Sequence, residues 1–171
     1  MAIRSILRYP DPRLHTKAAV VQELTPDVGA LIEDMFDTMY AANGIGLAAT
    51  QVDAHVRVVV VDLSPERNQP QVFINPEIVE TQGAAELGEE GCLSLPGIRE
   101  QVARVPSVTV SYMDQQGARK ELLATGLLGR CLLHEMDHLN GKVFVQHLSP
   151  LKQQRAKTKL QKWAKRDVQR A

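Results

Sequence analysis

The sequence predicts an α+β fold: antiparallel strands packed around a central helix, with a further helix at the carboxy terminus. Three observations lead there. An apolar stripe at helical spacing precedes a block of strand-like runs separated by short turns, a second helical pattern runs from Gly126 to Leu139, and a lysine- and arginine-rich helical run closes the chain. Short turns between consecutive strands favour antiparallel pairing, because parallel neighbours need a long crossover.

Thr25-Pro26-Asp27 reads as a helix start with proline at the first helical position, where an N–H has no partner in any case. Val28, Leu31, Ile32, Met35, Phe36 and Met39 recur at helical spacing up to Asn43-Gly44, so this stripe belongs to the core. Runs at Val56 to Leu63 and Val72 to Glu80 read as strands, broken by Ser64-Pro65 and Gln69-Pro70. A run from Val102 to Met113 turns at Asp114-Gln115-Gln116-Gly117 into Lys120 to Thr125. The helical pattern from Gly126 ends at Leu139, with Asn140-Gly141 as its carboxy-terminal cap. Pro150 opens the last helix, Leu151 to about Val168, which carries the chain's single tryptophan, Trp163. With no internal repeat, low-complexity linker or boundary, residues 1–171 read as one domain that includes this basic helix at about 151–168.

A chain of 171 residues can bury one sizeable core, hiding roughly 70% of the surface its unfolded form exposes. Lys+Arg 20 balances Asp+Glu 20, so no net field recruits DNA or an anionic membrane. The amino terminus lacks the apolar core of a signal peptide, and no apolar run approaches the ~20 residues of a membrane span. The expectation is a soluble, cytoplasmic protein. Two cysteines in unlike contexts, Cys92 and Cys131, suit a reducing compartment.

The chemistry is concentrated in His134-Glu135-Met136-Asp137-His138, because imidazoles four residues apart on a helix share one face and can grip one metal ion. A catalytic site with an open position needs a third protein ligand. The extended pattern HExxHxxGxxH holds through Gly141 but then meets Phe144 in place of the third histidine. No Asp or Glu lies between His138 and Asp167 to supply a downstream carboxylate. Upstream, Cys131 shares the helix but sits roughly 10 Å along its axis from His138. Cys92, in Glu90-Gly91-Cys92-Leu93-Ser94 before Pro96-Gly97, reads as a turn at a strand end that presents a thiolate from outside the helix, and it is the better ligand. A divalent ion so held lowers the pKa of water from ~15.7 to near 7, and Glu135 is placed to take the proton.

GIGLAATQ at Gly44 to Gln51, EGCLS at Glu90 to Ser94 and HEMDH at His134 to His138 resemble, in order, the three motifs of peptide deformylase, and Arg8-Tyr9-Pro10-Asp11-Pro12 is similar to the opening of that family. The resemblance, from near residue 4 to about 150, implies the same α+β fold and a metal-dependent hydrolase that removes the formyl group from N-formylmethionyl nascent peptides, releasing formate. It implies Fe(2+) as the expected ion, with Zn, Ni or Co able to fill the same donors. It assigns Cys92, His134 and His138 to the metal, Glu135 to acid–base chemistry, and the Gln51 side-chain amide and Leu93 N–H to the developing oxyanion. It lines the substrate site with Gly44, Ile45, Gly46, Glu90, Gly91, Leu127, Arg130, Cys131 and His134. Arg130 departs from the pattern, since many members are apolar there; either the rim is more polar or the guanidinium turns outward, leaving its stem against the substrate.

From Leu151 onward Lys152, Arg155, Lys157, Lys159, Lys162, Lys165, Arg166 and Arg170 face a single Asp167. The bland interpretation is a solvated helix; the functional one is docking on ribosomal RNA near emerging chains. Two other functions compete. A metallopeptidase fits HEMDH but leaves Cys92 unexplained, and a non-catalytic module would use the metal structurally and the basic helix for RNA. His15, His55 and His147 read as surface or packing residues, and Asp137 as a partner for a neighbouring side chain.

Overall fold

The computed structural model describes residues 2–170, with side chains through residue 165. Arg166, Asp167 and Arg170 of the basic run therefore have side chains outside the described residues. Helix α1 (Pro26–Ala41) begins as its sequence dictates, the Thr25 hydroxyl accepting from the Val28 N–H at 3.3 Å. Strands β1 (Gly46–Ala48), β2 (Val58–Val61), β3 (Gln71–Gln82), β6 (Ser107–Met113) and β7 (Arg119–Thr125) form a five-stranded sheet in the order β1-β2-β3-β6-β7. Every neighbouring pair is antiparallel. Strands β4 (Glu86–Cys92) and β5 (Leu95–Arg104) form a separate hairpin. Helix α2 (Gly126–Leu139) follows β7, and α3 (Pro150–Arg170) ends the chain.

The large sheet is covered on both faces, which is why β2 is apolar at every position rather than alternating. Val58 and Val60 pack with Leu31, Ile32, Met35 and Met39 of α1, while Val59 and Val61 pack with Leu132, Met136 and Leu139 of α2. Helix α2 is thus held against the sheet by its apolar stripe, and its remaining face, carrying the HExxH residues, turns to the hairpin. A third cluster joins Leu95, Ile98 and Val102 of β5 to Phe144 and to Ala156 and Leu160 of α3. No helix among the described residues is long and apolar enough to cross a membrane.

The strand expected over Val102 to Met113 is in fact two. Val105-Pro106 separates β5 from β6, and the chain changes sheets there, because proline has no N–H to continue a ladder. Strands β1 and β4 were hidden by their glycines, which weaken a strand pattern without preventing pairing. Pro96-Gly97 lies inside β5 rather than in a turn. Gly97 adopts φ 78°, and its missing side chain leaves room for the Trp163 ring of α3, while Lys159 Nζ donates to its carbonyl at 3.1 Å. The lone tryptophan therefore serves to seat α3 on the hairpin.

Candidate metal centre and its cavity

On α2 the His134 and His138 rings meet edge to face one turn apart, centroids 5.0 Å from each other, and both are buried. Cys92 ends β4, where the β4–β5 register shifts between Gly91 and Cys92 and the chain turns through Leu93 and Ser94. That irregularity delivers the sulfur to the helix. Cys92 Sγ lies 3.2 Å from His138 Nε2, and one ligand atom from each of Cys92, His134 and His138 falls within 4.8 Å of the others. Tetrahedral ligands of a divalent ion with Zn-like bond lengths stand roughly 3.3–3.6 Å apart, so the three donors fit one ion with small adjustment. Both cysteines are free thiols. Cys131 stays outside the trio, its sulfur against Gly46, where a Cβ would stand 2.7 Å away. Burial pushes its thiol well above the ordinary range.

Glu90 fixes the histidine side of this arrangement. Its carboxylate, buried in β4, accepts from His134 Nδ1 at 2.9 Å, which leaves Nε2 as the nitrogen for an ion. Arg104 grips the two Glu90 oxygens through Nε and Nη2 at 2.9 Å each and donates to Asp137 at 2.6 Å; His147 Nε2 meets the same Asp137 oxygen at 2.9 Å. Burial alone would raise the Glu90 carboxyl, but the Arg104 and His134 bonds outweigh it and hold it well below the usual carboxylate range. Sequence reasoning missed Arg104. Its signal was the inward phase it shares with buried Val102 two residues earlier, a charged side chain where β5 alternation demands an apolar one.

Glu135 is buried on the same helix, Oε1 3.7 Å from His134 Nε2, and Oε2 has no hydrogen-bond partner among the described residues. Burial pushes its carboxyl up to about 7. Gln51 is held in the turn after β1: its Oε1 accepts from the Ala48 N–H at 2.9 Å, and its Nε2 donates to Ser94 Oγ at 3.1 Å and Cys92 Sγ at 3.4 Å. Ser94 N–H also reaches Cys92 Sγ at 3.4 Å. The amino-terminal segment closes over both, Leu7 N–H donating to Gln51 O at 2.7 Å and Tyr9 N–H to Ser94 O at 2.9 Å. Two hydrogen-bond donors and two histidines thus converge on one sulfur.

This convergence agrees with what the chain is similar to. A family model described as polypeptide deformylase matches residues 3–154. The chain belongs to that family. It is 55% identical to peptide deformylase 2 of Xanthomonas axonopodis pv. citri over 168 residues, 96% of this chain and 98% of that one. A crystal structure of a peptide deformylase from Legionella pneumophila superposes with a TM-score of 0.94 at 46% identity, covering 98% of each chain. That of the Ehrlichia chaffeensis peptide deformylase in complex with actinonin gives 0.91 at 39% identity, over 95% of this chain and 98% of that one.

Beside the trio, this deformylase opens a cavity of about 580 Å³. Gly44, Ile45, Gly46, Glu90, Gly91, Leu93, Leu127, Arg130, Cys131, His134 and Glu135 all line it, together with Cys92. His138 and Gln51 lie behind the wall, at 0% and 1% exposure. Gly44 faces the Leu93 side chain, and a Cβ there would stand 2.6 Å from its Cδ1, so a larger residue would displace that side chain from the cavity wall. The sequence did not single out Ile98 and Arg99, which join Pro96 and Gly97 in the opposite wall; nothing in the composition of β5 distinguishes a wall strand from any other edge. His15 and His55 stand apart, bonded to Gly141 O and Asp53.

Proposed function

We propose that the chain hydrolyses the formyl amide of N-formylmethionyl peptides, releasing formate, with Cys92, His134 and His138 holding one divalent ion and Fe(2+) as the resident metal. The observation that carries this reading is the meeting of a hairpin cysteine with two helix histidines at the edge of an apolar-walled cavity, with Glu135 buried among them. When bound, the ion supplies Lewis acidity and makes water acidic near neutral pH. Glu135 Oε2, buried and without a competing partner among the described residues, holds the proton on its way to the departing amine. The family resemblance gives the Gln51 amide and the Leu93 N–H in the cysteine turn to developing negative charge at the carbonyl oxygen; Gln51 Nε2 donates to Ser94 and Cys92 behind the cavity wall and would exchange one of those bonds to reach it. Gly44, Ile45, Gly46 and Gly91 leave backbone uncovered for an extended peptide, while Leu127, Cys131 and the stem of Arg130 wall the first side chain.

The test is formate release from formyl-Met-Ala by metal-loaded protein, with and without chelator. Release abolished by chelator and severely slowed in Glu135→Gln with metal retained supports the reading; cleavage of unformylated peptides alone would favour a peptidase. Metal analysis after purification without oxygen tests the iron assignment.

We also propose that the substrates are nascent chains in the cytoplasm and that α3 docks on ribosomal RNA. Lys157, Lys162 and Lys165 are exposed on α3. Reversing their charge should reduce co-sedimentation with ribosomes in low salt and leave hydrolysis of short formyl peptides intact. Unchanged co-sedimentation contradicts docking.

A further inference from the structure

Arg130 is the substrate-site position at which the chain departs from the family pattern, and its surroundings define what it does. It leaves α2 one turn before His134 and crosses to the hairpin, where its hydrogen-bond acceptors among the described residues lie. Nη1 donates to Glu90 Oε2 and Val102 O at 2.8 Å each, with Gly88 O at 3.4 Å, and Nη2 donates to Glu86 O at 3.0 Å. These acceptors belong to both strands, β4 and β5. The side chain is only 17% exposed although it borders an open cavity. Its charge is matched by the Glu90 carboxylate, and three main-chain carbonyls accept from Nη1 and Nη2.

Gly88 lies directly under the guanidinium. A Cβ there would stand 2.6 Å from Arg130 Cζ, 2.7 Å from Nη2 and 2.8 Å from Nε, closer than real side chains come. Gly88 is not among the glycines with positive φ, so its backbone sets no demand of its own for glycine. What requires glycine is the flat group above it.

We propose that Arg130 is a positioning and specificity-determining residue: it clamps α2 to the β4–β5 hairpin, with Gly88 as its recess, and so sets the width of the cavity while keeping its charge from the substrate. The clamp spans the two elements that carry the metal ligands, with Glu90 its acceptor two residues before Cys92. The methylene stem is then what the cavity meets. An acidic first side chain finds the Arg130 charge already matched by Glu90, and a bulky one meets a wall that cannot recede. The substrate part of this inference rests on the deformylase reading; the clamp itself does not.

The experiment uses the metal-loaded protein and the variants Arg130→Met, Arg130→Lys, Gly88→Ala and Gly88→Ala/Arg130→Met, assayed with formyl-Met-Ala, formyl-Phe-Ala and formyl-Glu-Ala. Arg130→Met should raise KM for formyl-Met-Ala about tenfold with kcat within about threefold, and narrow the preference for Met over Phe. Arg130→Lys should recover only part of the loss, since a single ammonium cannot reach acceptors spread along a fork. Gly88→Ala should reproduce the Arg130→Met profile, and the double variant should be no worse than either single one. Formyl-Glu-Ala should be a poor substrate for all. Unchanged kinetic constants in Arg130→Met, additive losses in the double variant, or formyl-Glu-Ala hydrolysis that depends on Arg130 would overturn the proposal. If the unaltered protein released no formate, the functional reading would fail, and the clamp would still be decided by whether the two substitutions are non-additive in thermal unfolding.

Discussion

The two sheets of this molecule are held by different forces. The five-stranded sheet is fastened by apolar surface on both faces, with Val58 to Val61 wholly buried between α1 and α2. The β4–β5 hairpin meets α2 mainly through charge: Glu90 between Arg104, Arg130 and His134, and Arg104 reaching on to Asp137. Its apolar side is turned the other way, to Phe144 and α3. The metal trio straddles this divide, with His134 and His138 on the helix seated by hydrophobic packing and Cys92 on the strand seated by ion pairs. Stability and site geometry are therefore separable, and lesions in the two regions should differ in kind.

The largest effect is expected at Glu90. Removing it in Glu90→Ala leaves buried Arg104 and half-buried Arg130 without the carboxylate between them, which should cost about 3–5 kcal/mol in urea unfolding. The loss of the bond that orients His134 should also weaken metal binding by about 10–100-fold in a chelator competition. Retention of metal affinity would show that the hairpin is not seated by this network.

Leu132→Ala should damage the other region. A fully buried leucine on the sheet-facing side of α2 should cost about 2–5 kcal/mol when truncated, with the metal affinity of the folded fraction unchanged. A parallel drop in affinity would mean that the two regions are not separable.

Acid should reach the large sheet through Asp62, which follows β2. Burial pushes this carboxyl up, but bonds from Ser64, Tyr40 and the Gln69 N–H outweigh it and bring it from 3.8 to about 2. A carboxyl depressed in the folded state contributes stability that is complete above about pH 4 and lost as pH falls through about 2. Asp62→Asn should remove that part of the acid slope, measured as urea midpoints across this window. An unaltered slope would place the acid sensitivity elsewhere.

The smallest effect is expected where charge is exposed. Lys152 Nζ lies 3.4 Å from Glu100 Oε2, joining α3 to the hairpin, but both side chains are well solvated. Lys152→Ala should change stability by less than about 1 kcal/mol. A larger loss would mean that ion pairs seat α3 as they seat the hairpin against α2.

Legibility in the sequence followed the same divide. Helical periodicity and capping residues located α1 and α2 closely, because both helices are amphipathic and their ends are marked by Thr25-Pro26 and Asn140-Gly141. The hairpin was poorly legible. Its strands contain Gly91 and Pro96-Gly97, which read as turn residues, and Gly88, yet these three glycines leave room for the Arg99, Trp163 and Arg130 side chains respectively. Helical spacing paired His134 with His138, the turn context and the family resemblance added Cys92, and the three lie within reach of one ion. Arg104 and the clamp of Arg130 were not readable, since a buried ion-pair network depends on partners far apart in sequence.

The most direct test of the metal assignment is a Co(2+) titration of the metal-free protein, followed by absorption. One equivalent should bind and develop a thiolate-to-cobalt charge-transfer band, and that band should vanish in Cys92→Ser while the apolar core still unfolds cooperatively. Full cobalt binding with no charge-transfer band, or a band that survives Cys92→Ser and disappears in Cys131→Ser, would contradict ligation by Cys92, His134 and His138.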